Sequence, residues 1–126
     1  MAYNILVVDD SATTRAVILK TIKIAGVETN EVYQASNGKE ALDILNDNWI
    51  DIIFSDINMP VMGGVEMIEK MYNDGILKTI PVIIVSTEGN ATRIEQLKSR
   101  GVKAYLRKPF TPESIKDVID DILEAE

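Results

Sequence analysis

Short apolar segments rich in β-branched residues recur along the chain and predict five β-strands. Several of these segments are apolar at successive positions and do not alternate with polar residues. This pattern indicates strands covered on both faces, as in a parallel sheet that lies between two layers of helices. The predicted strands span residues 5–8, 32–35, 52–54, 82–85 and, with a weaker pattern, 104–106.

The segments between and after these strands have the length and pattern of helices. In the last one, apolar residues repeat at the spacing of helical turns and form one stripe, with acidic residues opposite. Thr111 followed by Pro112 is a typical helix start. The stripe consists of Ile115, Val118, Ile119, Ile122 and Leu123. Four more helices are predicted, one from just after Ser11 to near Gly26 and three over residues 38–46, 64–73 and 90–100.

Strand and helix therefore alternate five times along 126 residues, which is typical of βαβ units with right-handed crossovers. The predicted fold class is α/β, a doubly wound five-stranded parallel sheet with five helices. A chain of this length has the size of one domain, so we expect a single domain over residues 1–126.

Acidic, hydroxyl or amine side chains lie one or two positions beyond the first, third, fourth and fifth predicted strands. In open α/β sheets, ligands bind beyond the carboxyl ends of the strands, so these side chains should converge. They are Asp9 and Asp10 after the first strand, Asp56 after the third, Ser86 and Thr87 after the fourth, and Lys108 after the fifth.

Taken singly, each of these aspartates is most simply a loop acid, and Asp10 or Ser11 could cap the first helix. Three carboxylates in one crevice repel one another, however, so that one must bind a proton or the group must bind a cation. The chain contains no Cys and no His, which leaves oxygen atoms as the natural ligands. This donor set favours a hard cation, Mg²⁺ or Mn²⁺.

A cation held in this way leaves positions open for a phosphoryl oxygen. Lys108 can supply a second positive charge, the Ser86 hydroxyl can donate a hydrogen bond to the phosphoryl group, and the Asp56 carboxylate can act as a nucleophile. Phosphoryl transfer needs little beyond such positioning and charge neutralisation. The formal charge of −7 argues against nucleic acid and anionic membranes as partners. The apolar runs are too short to span a bilayer, and we expect a cytoplasmic protein.

Four segments in order, "LVVDD", "FSDINMP", "PVIIVST" and "YLRKPF", together resemble the receiver domain of two-component response regulators. The likeness spans nearly the whole chain and is greatest to the CheY-like, single-domain chemotaxis type. It implies a flavodoxin-like sheet with strand order 2-1-3-4-5. It also implies that Asp56 accepts a phosphoryl group from the phosphohistidine of a partner histidine kinase.

The resemblance further assigns roles in a metal site and a switch. Asp10 and Asp56 would bind Mg²⁺ directly, Asp9 through water, and Asn58 through its backbone carbonyl. Ser86 and Lys108 would contact the phosphoryl group, and Tyr105 would turn inward as Ser86 moves. Thr87 and Glu88 are candidates to modulate the attack of water, and the bond between Lys108 and Pro109 is expected to be cis.

The resemblance also implies that the output is phosphorylation-dependent protein binding in chemotaxis, through the fourth helix, fifth strand and fifth helix. No effector domain is expected, and a phosphatase is a further candidate partner. The protein would not be an enzyme with a substrate of its own, although it would catalyse its own phosphoryl transfer and slow aspartyl-phosphate hydrolysis.

Other functions are open at this point. A phosphorelay intermediate or a degenerate receiver that only binds partners would share the fold. An aspartyl-nucleophile phosphatase of the haloacid dehalogenase type would need a D-x-D motif, which the adjacent Asp9 and Asp10 do not form. A flavodoxin-like nucleotide module would use the hydroxyls of "DDSATT" at a helix start, but two acids beside a phosphate without metal are unfavourable.

Overall fold

A computed structural model describes residues 2–75, 77–87 and 91–123 of the chain. Five strands alternate with five helices. The strands are β1 (Tyr3–Val8), β2 (Thr29–Ala35), β3 (Ile52–Ser55), β4 (Val82–Ser86) and β5 (Ala104–Arg107). The helices are α1 (Ala12–Ile24), α2 (Gly38–Asp47), α3 (Gly64–Tyr72), α4 (Ala91–Ser99) and α5 (Pro112–Leu123), with a short 3₁₀ turn at Leu77–Thr79.

All strands pair in parallel, in the order β2-β1-β3-β4-β5. Both the α/β fold class and the strand order are therefore confirmed. The register sets Val8 beside both Ala35 and Ser55, and Ser55 beside Ile84. The carboxyl ends of β1, β3 and β4 consequently meet at one edge of the sheet.

The central strands β1, β3 and β4 are buried on both faces, as their unbroken apolar runs predicted. Alternate residues of β1 enter two different core clusters. Leu6 and Val8 pack with residues of α2, α3 and α4, whereas Ile5 and Val7 pack with residues of α1 and α5. None of the described helices combines the length and apolar character that crossing a membrane would require.

The helix starts follow local capping chemistry. The Ser11 hydroxyl accepts a hydrogen bond from the Thr14 N–H at 3.2 Å, so Ser11 is the cap of α1. Asn37 caps α2 by accepting from the Glu40 N–H, and the Glu40 carboxylate accepts bonds from the backbone N–H and hydroxyl of Ser36. These two bonds from Ser36 lower the pKa of Glu40. Thr111 caps α5 through the Ser114 N–H.

The methionines serve mainly in packing. Met67 and Met71 are buried in the cluster that includes Leu6, and Met59 and Met62 pack against it. Flexible thioethers suit such positions because they fill irregular gaps. The bond between Lys108 and Pro109 is cis, as the resemblance implied.

The loop between β3 and α3 contains a residue in an unfavourable conformation. Val61 has φ of 76°, in the left-handed region that a β-branched residue rarely adopts. Its side chain is 79% exposed, so packing does not compensate for the strain. The next residue is anchored, because the Gly38 N–H donates to the Met62 carbonyl at 2.8 Å. The anchor at Met62 therefore holds Val61 in its strained conformation.

Replacing Val61 by asparagine is expected to raise the free energy of unfolding. The left-handed conformation costs about 1–2 kcal/mol for most L-residues, and asparagine tolerates it better, so we expect a gain of roughly 0.5–1 kcal/mol. Denaturant unfolding would measure it. Val61→Ala is the matched control, because alanine keeps the Cβ atom and should gain less. A loss of stability in Val61→Asn would show that Val61 is not strained.

Candidate functional site

The three aspartates predicted at the strand ends lie together. One carboxylate oxygen from each of Asp9, Asp10 and Asp56 falls within 4.8 Å of the other two. The sheet register brings them together, because Val8 pairs with Ser55 and the next residue of each strand carries an acid. The Asp56 N–H donates to the Val8 carbonyl at 2.9 Å, which extends the pairing beyond the strand ends.

These carboxylates differ in their access to solvent. Asp9 is buried, with 2% of its surface exposed, and the Asp56 side chain is 17% exposed. Asp10 lies on the exposed side of the cluster. The cluster is therefore a crevice with a buried floor and an open rim, which a small ligand can enter from solvent.

Lys108 places an ammonium group against the acids. Its Nζ lies 3.2 Å from Asp9 Oδ2 and 3.8 Å from Asp56 Oδ2. The backbone of Lys108 is fixed at the same edge, since its N–H donates to the Ser86 carbonyl at 2.8 Å. One ammonium cannot neutralise three carboxylates, so the crevice keeps an excess of negative charge that attracts a cation.

Asp56 shows the electrostatic effect of this crowding. Burial, above all, raises the pKa of the Asp56 carboxyl above its ordinary value of 3.8, and the charges of Asp9 and Asp10 add to the rise. The hydrogen bond from the Ile57 N–H and the charge of Lys108 act in the opposite direction. The charged form of Asp56 is thus disfavoured in the native state.

Asp56→Asn is expected to stabilise the metal-free protein at neutral pH by about 1 kcal/mol, within the range of single substitutions. Since the native pKa is raised, the unfolded chain releases the Asp56 proton at lower pH, and stability falls as pH rises from about 3.8 through the native pKa. Asp56→Asn should not show this decrease in the free energy of unfolding as pH rises. Urea unfolding at several pH values would measure the difference.

The control for this prediction is Asp43→Asn, which removes one negative charge from the exposed surface of α2. It should change stability little at any pH, because surface substitutions usually stay within about 0.5 kcal/mol. Equal effects of the two substitutions would mean that Asp56 stabilises or destabilises the fold only through the net charge of the protein.

Ser86 and Thr87 extend the same edge from β4. Ile84 pairs with Ser55, so Ser86 lies one residue beyond the level of Asp56. Ser86 is buried and Thr87 is exposed. Glu88, the other candidate modulator, lies outside the described residues.

Tyr105 is on the edge strand β5, paired with Ile84. Its side chain is half-buried and packs against the core cluster that includes Leu6. The structure therefore places Tyr105 on the strand next to that of Ser86, two residues before Arg107, the partner of Ser86 in the sheet.

Asn58 lies in the loop that follows Asp56, and its side chain is exposed. The loop turns back sharply, with the Gly64 N–H donating to the Ile57 carbonyl at 2.8 Å. A Cβ atom at Gly64 would lie 2.3 Å from the Asp56 carbonyl oxygen. Only glycine permits this approach, which sets the path of the chain past Asn58.

Arg15 lies beside the site, although no sequence motif assigns it a role. One guanidinium N–H of Arg15 donates to the Asp9 carbonyl at 2.7 Å, and Nε donates to Gln34 Oε1 at 3.0 Å. Nothing in the pattern around Arg15 distinguishes it from a solvent-exposed residue of α1. Only the packing of α1 against the end of β1 reveals the contact.

Comparison with known proteins identifies the class. A family model described as the response regulator receiver domain matches residues 5–120, and the chain belongs to this family. The resemblance seen in the four sequence motifs is thereby confirmed.

Its similarity within the family is to chemotaxis proteins of the CheY type. The chain is 37% identical over 121 residues to the chemotaxis protein CheY homolog of Campylobacter jejuni, covering 95% of this chain and 92% of the relative. The crystal structure of Vibrio cholerae CheY4 superimposes with a TM-score of 0.85 at 32% identity, covering 98% of this chain and 100% of that one.

A third protein shares the fold at lower sequence identity. The receiver domain of sensor histidine kinase PA1611 from Pseudomonas aeruginosa PAO1 has a TM-score of 0.85 at 20% identity, covering 98% of this chain and 99% of that one. That structure has a magnesium ion coordinated in its active site cleft.

Proposed function

We propose that this protein is a phosphorylated receiver in which Asp56 accepts a phosphoryl group from a histidine kinase, with Mg²⁺ or Mn²⁺ bound, and that it signals in chemotaxis by phosphorylation-dependent protein binding. The observation that carries the proposal is the cluster of three carboxylates with Lys108 Nζ 3.8 Å from Asp56 Oδ2. The chemotaxis relatives support the signalling role.

The residues present fit a small divalent cation. Two oxygens on opposite sides of Mg²⁺ lie about 4.2 Å apart, given bonds of about 2.1 Å. The carboxylate oxygens of Asp9, Asp10 and Asp56 already lie within 4.8 Å of one another, so modest side-chain movement suffices. We assign direct ligation to Asp10 and Asp56, a water-mediated contact to Asp9, and a backbone carbonyl ligand to Asn58. When bound, the cation would neutralise charge on the phosphoryl oxygens.

Asp56 is held in a position suited to nucleophilic attack. The Ile57 N–H donates to Asp56 Oδ1 at 2.7 Å, which fixes the carboxylate plane, while Oδ2 faces Lys108. A carboxylate oxygen of Asp56 forms a bond to phosphorus as the P–N bond of the donor phosphohistidine breaks, and the electron pair leaves with the imidazole. The Lys108 ammonium stabilises the transferred phosphoryl oxygens. The donor imidazole belongs to the kinase, which suits a chain without His.

The surface formed by α4, β5 and α5 would bind the target protein. Once Asp56 carries the phosphoryl group, Ser86 would move to donate its hydroxyl to it and Tyr105 would turn inward. Among the described side chains of α4, Leu97 is buried and Ile94 partly buried, and the others are exposed. A helix with so narrow a buried stripe shifts readily, so phosphorylation can act as a population shift between conformers.

In this proposal the protein is not an enzyme for a free substrate. Its chemistry is confined to its own aspartate, through phosphoryl uptake and slow hydrolysis of the aspartyl phosphate. Thr87 and Glu88 are proposed to modulate the attack of water, and a partner phosphatase could accelerate it.

The test is phosphoryl uptake from a small acyl phosphate, with and without Mg²⁺. Intact-mass measurement should show one added phosphoryl group that chelator prevents and hydroxylamine removes, because the product is an acyl phosphate. Peptide mapping should locate it at Asp56. Uptake without a divalent cation, or label on a hydroxyl residue, would contradict the proposal. A beryllofluoride mimic of the phosphoryl group should likewise increase binding to the protein target.

A further inference from the structure

We propose that Arg15 is a positioning residue for the cation site, because its guanidinium holds the peptide between Asp9 and Asp10 in the orientation that brings both carboxylates into the cluster. Since that cluster is a cation site only under the proposed function, the inference rests on it.

Two bonds clamp the Asp9 residue from opposite sides of its Cα atom. The Asp9 N–H donates to the Ala35 carbonyl at 3.1 Å and so continues the pairing of β1 with β2. The Asp9 carbonyl, which lies beyond the end of β1, accepts the Arg15 guanidinium N–H at 2.7 Å. Because this carbonyl belongs to the peptide that leads into Asp10, its direction sets where the Asp10 side chain begins.

Arg15 is itself anchored at both ends. Its backbone N–H donates to the Ser11 carbonyl at 3.0 Å in the first turn of α1. Its Nε donates to Gln34 Oε1 at 3.0 Å, and Gln34 pairs with Val7 across β2 and β1. A planar guanidinium with two fixed bonds has a defined orientation, which the single ammonium of a lysine cannot reproduce.

The Arg15 guanidinium can act on the site through its positive charge or through the hydrogen bond that it donates to the Asp9 carbonyl. Removing a positive charge near the acids would, by Coulomb attraction alone, tighten Mg²⁺ binding. Loss of positioning would weaken it. The two interpretations of Arg15 therefore predict opposite signs.

The experiment is a calorimetric Mg²⁺ titration of the full chain, without any phosphoryl donor. Residues that orient metal ligands typically change metal affinity about 10–100-fold. We expect Arg15→Ala to raise the dissociation constant for Mg²⁺ about tenfold. Arg15→Lys and Gln34→Ala should raise it less. Lys20→Ala removes the same charge from the exposed face of α1 and is the matched control. It should stay within about twofold of the wild type.

A second readout needs no metal. Amide hydrogen exchange at Asp10 and Ser11 should be faster in metal-free Arg15→Ala than in the wild type, with little change in Lys20→Ala. If Arg15→Ala binds Mg²⁺ as tightly as the wild type, or more tightly, the positioning role is overturned. If the wild type does not bind Mg²⁺, the result contradicts the proposed function itself and not only the role of Arg15. If Arg15→Ala does not fold, the Mg²⁺ dissociation constants of Arg15→Lys and Gln34→Ala are compared with that of the wild type instead, and the same outcomes apply.

Discussion

Asp56→Ala is expected to take up no phosphoryl group from a small acyl phosphate at any Mg²⁺ concentration. The substitution removes the carboxylate that forms the bond to phosphorus in the proposed reaction. The loss of labelling should therefore be complete, and added Mg²⁺ should not restore it. Its neighbours Asp9 and Lys108 keep their contact at 3.2 Å, so the fold of the crevice should survive. Intact-mass measurement over a range of Mg²⁺ concentrations would show the loss.

Asp10→Ala is the matched control for this prediction. It removes a carboxylate from the same cluster but keeps the acceptor, so labelling should be slow at low Mg²⁺ and recover as Mg²⁺ is raised. The contrast separates a nucleophile from a metal ligand. If Asp56→Ala is still labelled, the acceptor is another residue; if Asp10→Ala behaves like the wild type at every Mg²⁺ concentration, Asp10 is not a ligand.

Gly64→Ala is expected to lower the free energy of unfolding by about 3 kcal/mol, at the upper end of the effects of overpacking. The new Cβ atom would lie 2.3 Å from the Asp56 carbonyl oxygen and 3.3 Å from the carbon of that carbonyl. These are main-chain atoms, which cannot turn aside as a flexible side chain can. The strand end or the start of α3 must move, and either movement displaces Asp56.

Gly75→Ala provides the control, because a Cβ atom there would meet nothing within 4 Å. This variant should be as stable as the wild type or slightly more stable, since alanine restricts the unfolded chain. Denaturant unfolding of both variants would give the difference in free energy. Thermal unfolding should show a Tm that is lower by roughly 10 °C in Gly64→Ala. Equal stability of the two variants would show that the β3–α3 loop can relax around a side chain.

Asp56→Ala and Gly64→Ala both act on the region around Asp56, where features that suit the proposed function also lower the stability of the fold. Burial and like charges raise the pKa of Asp56, and the following loop holds Val61 at φ of 76°. The same region holds three carboxylates and an ammonium within one crevice. Under the proposed function, cation binding relieves part of this repulsion, so Mg²⁺ should stabilise the wild type and stabilise Asp56→Asn less.

The buried elements are visible in the sequence alone. β1, β3 and β4 were predicted nearly in full because their residues are apolar on both faces. Edge strand β2 begins at Thr29, three residues before its predicted start, because its first residues are polar and exposed and show no hydrophobic pattern. The candidate residues at the strand ends were also visible, since polar residues at the carboxyl ends of parallel strands converge whatever the details of packing. The roles of Asn58 and Tyr105 were indicated only by the family resemblance.

How those residues meet depends on the packing of the whole chain. Lys108 and Asp9 are separated by 99 positions, and no local pattern shows that their side chains lie 3.2 Å apart. The bond from Arg15 to the Asp9 carbonyl, the close approach of Gly64 to Asp56 and the left-handed conformation of Val61 also depend on how the loops pack against the strand ends. Sequence periodicity reports which face of an element is buried. The distances and orientations that make a site come from how the elements pack, which is a property of the whole chain.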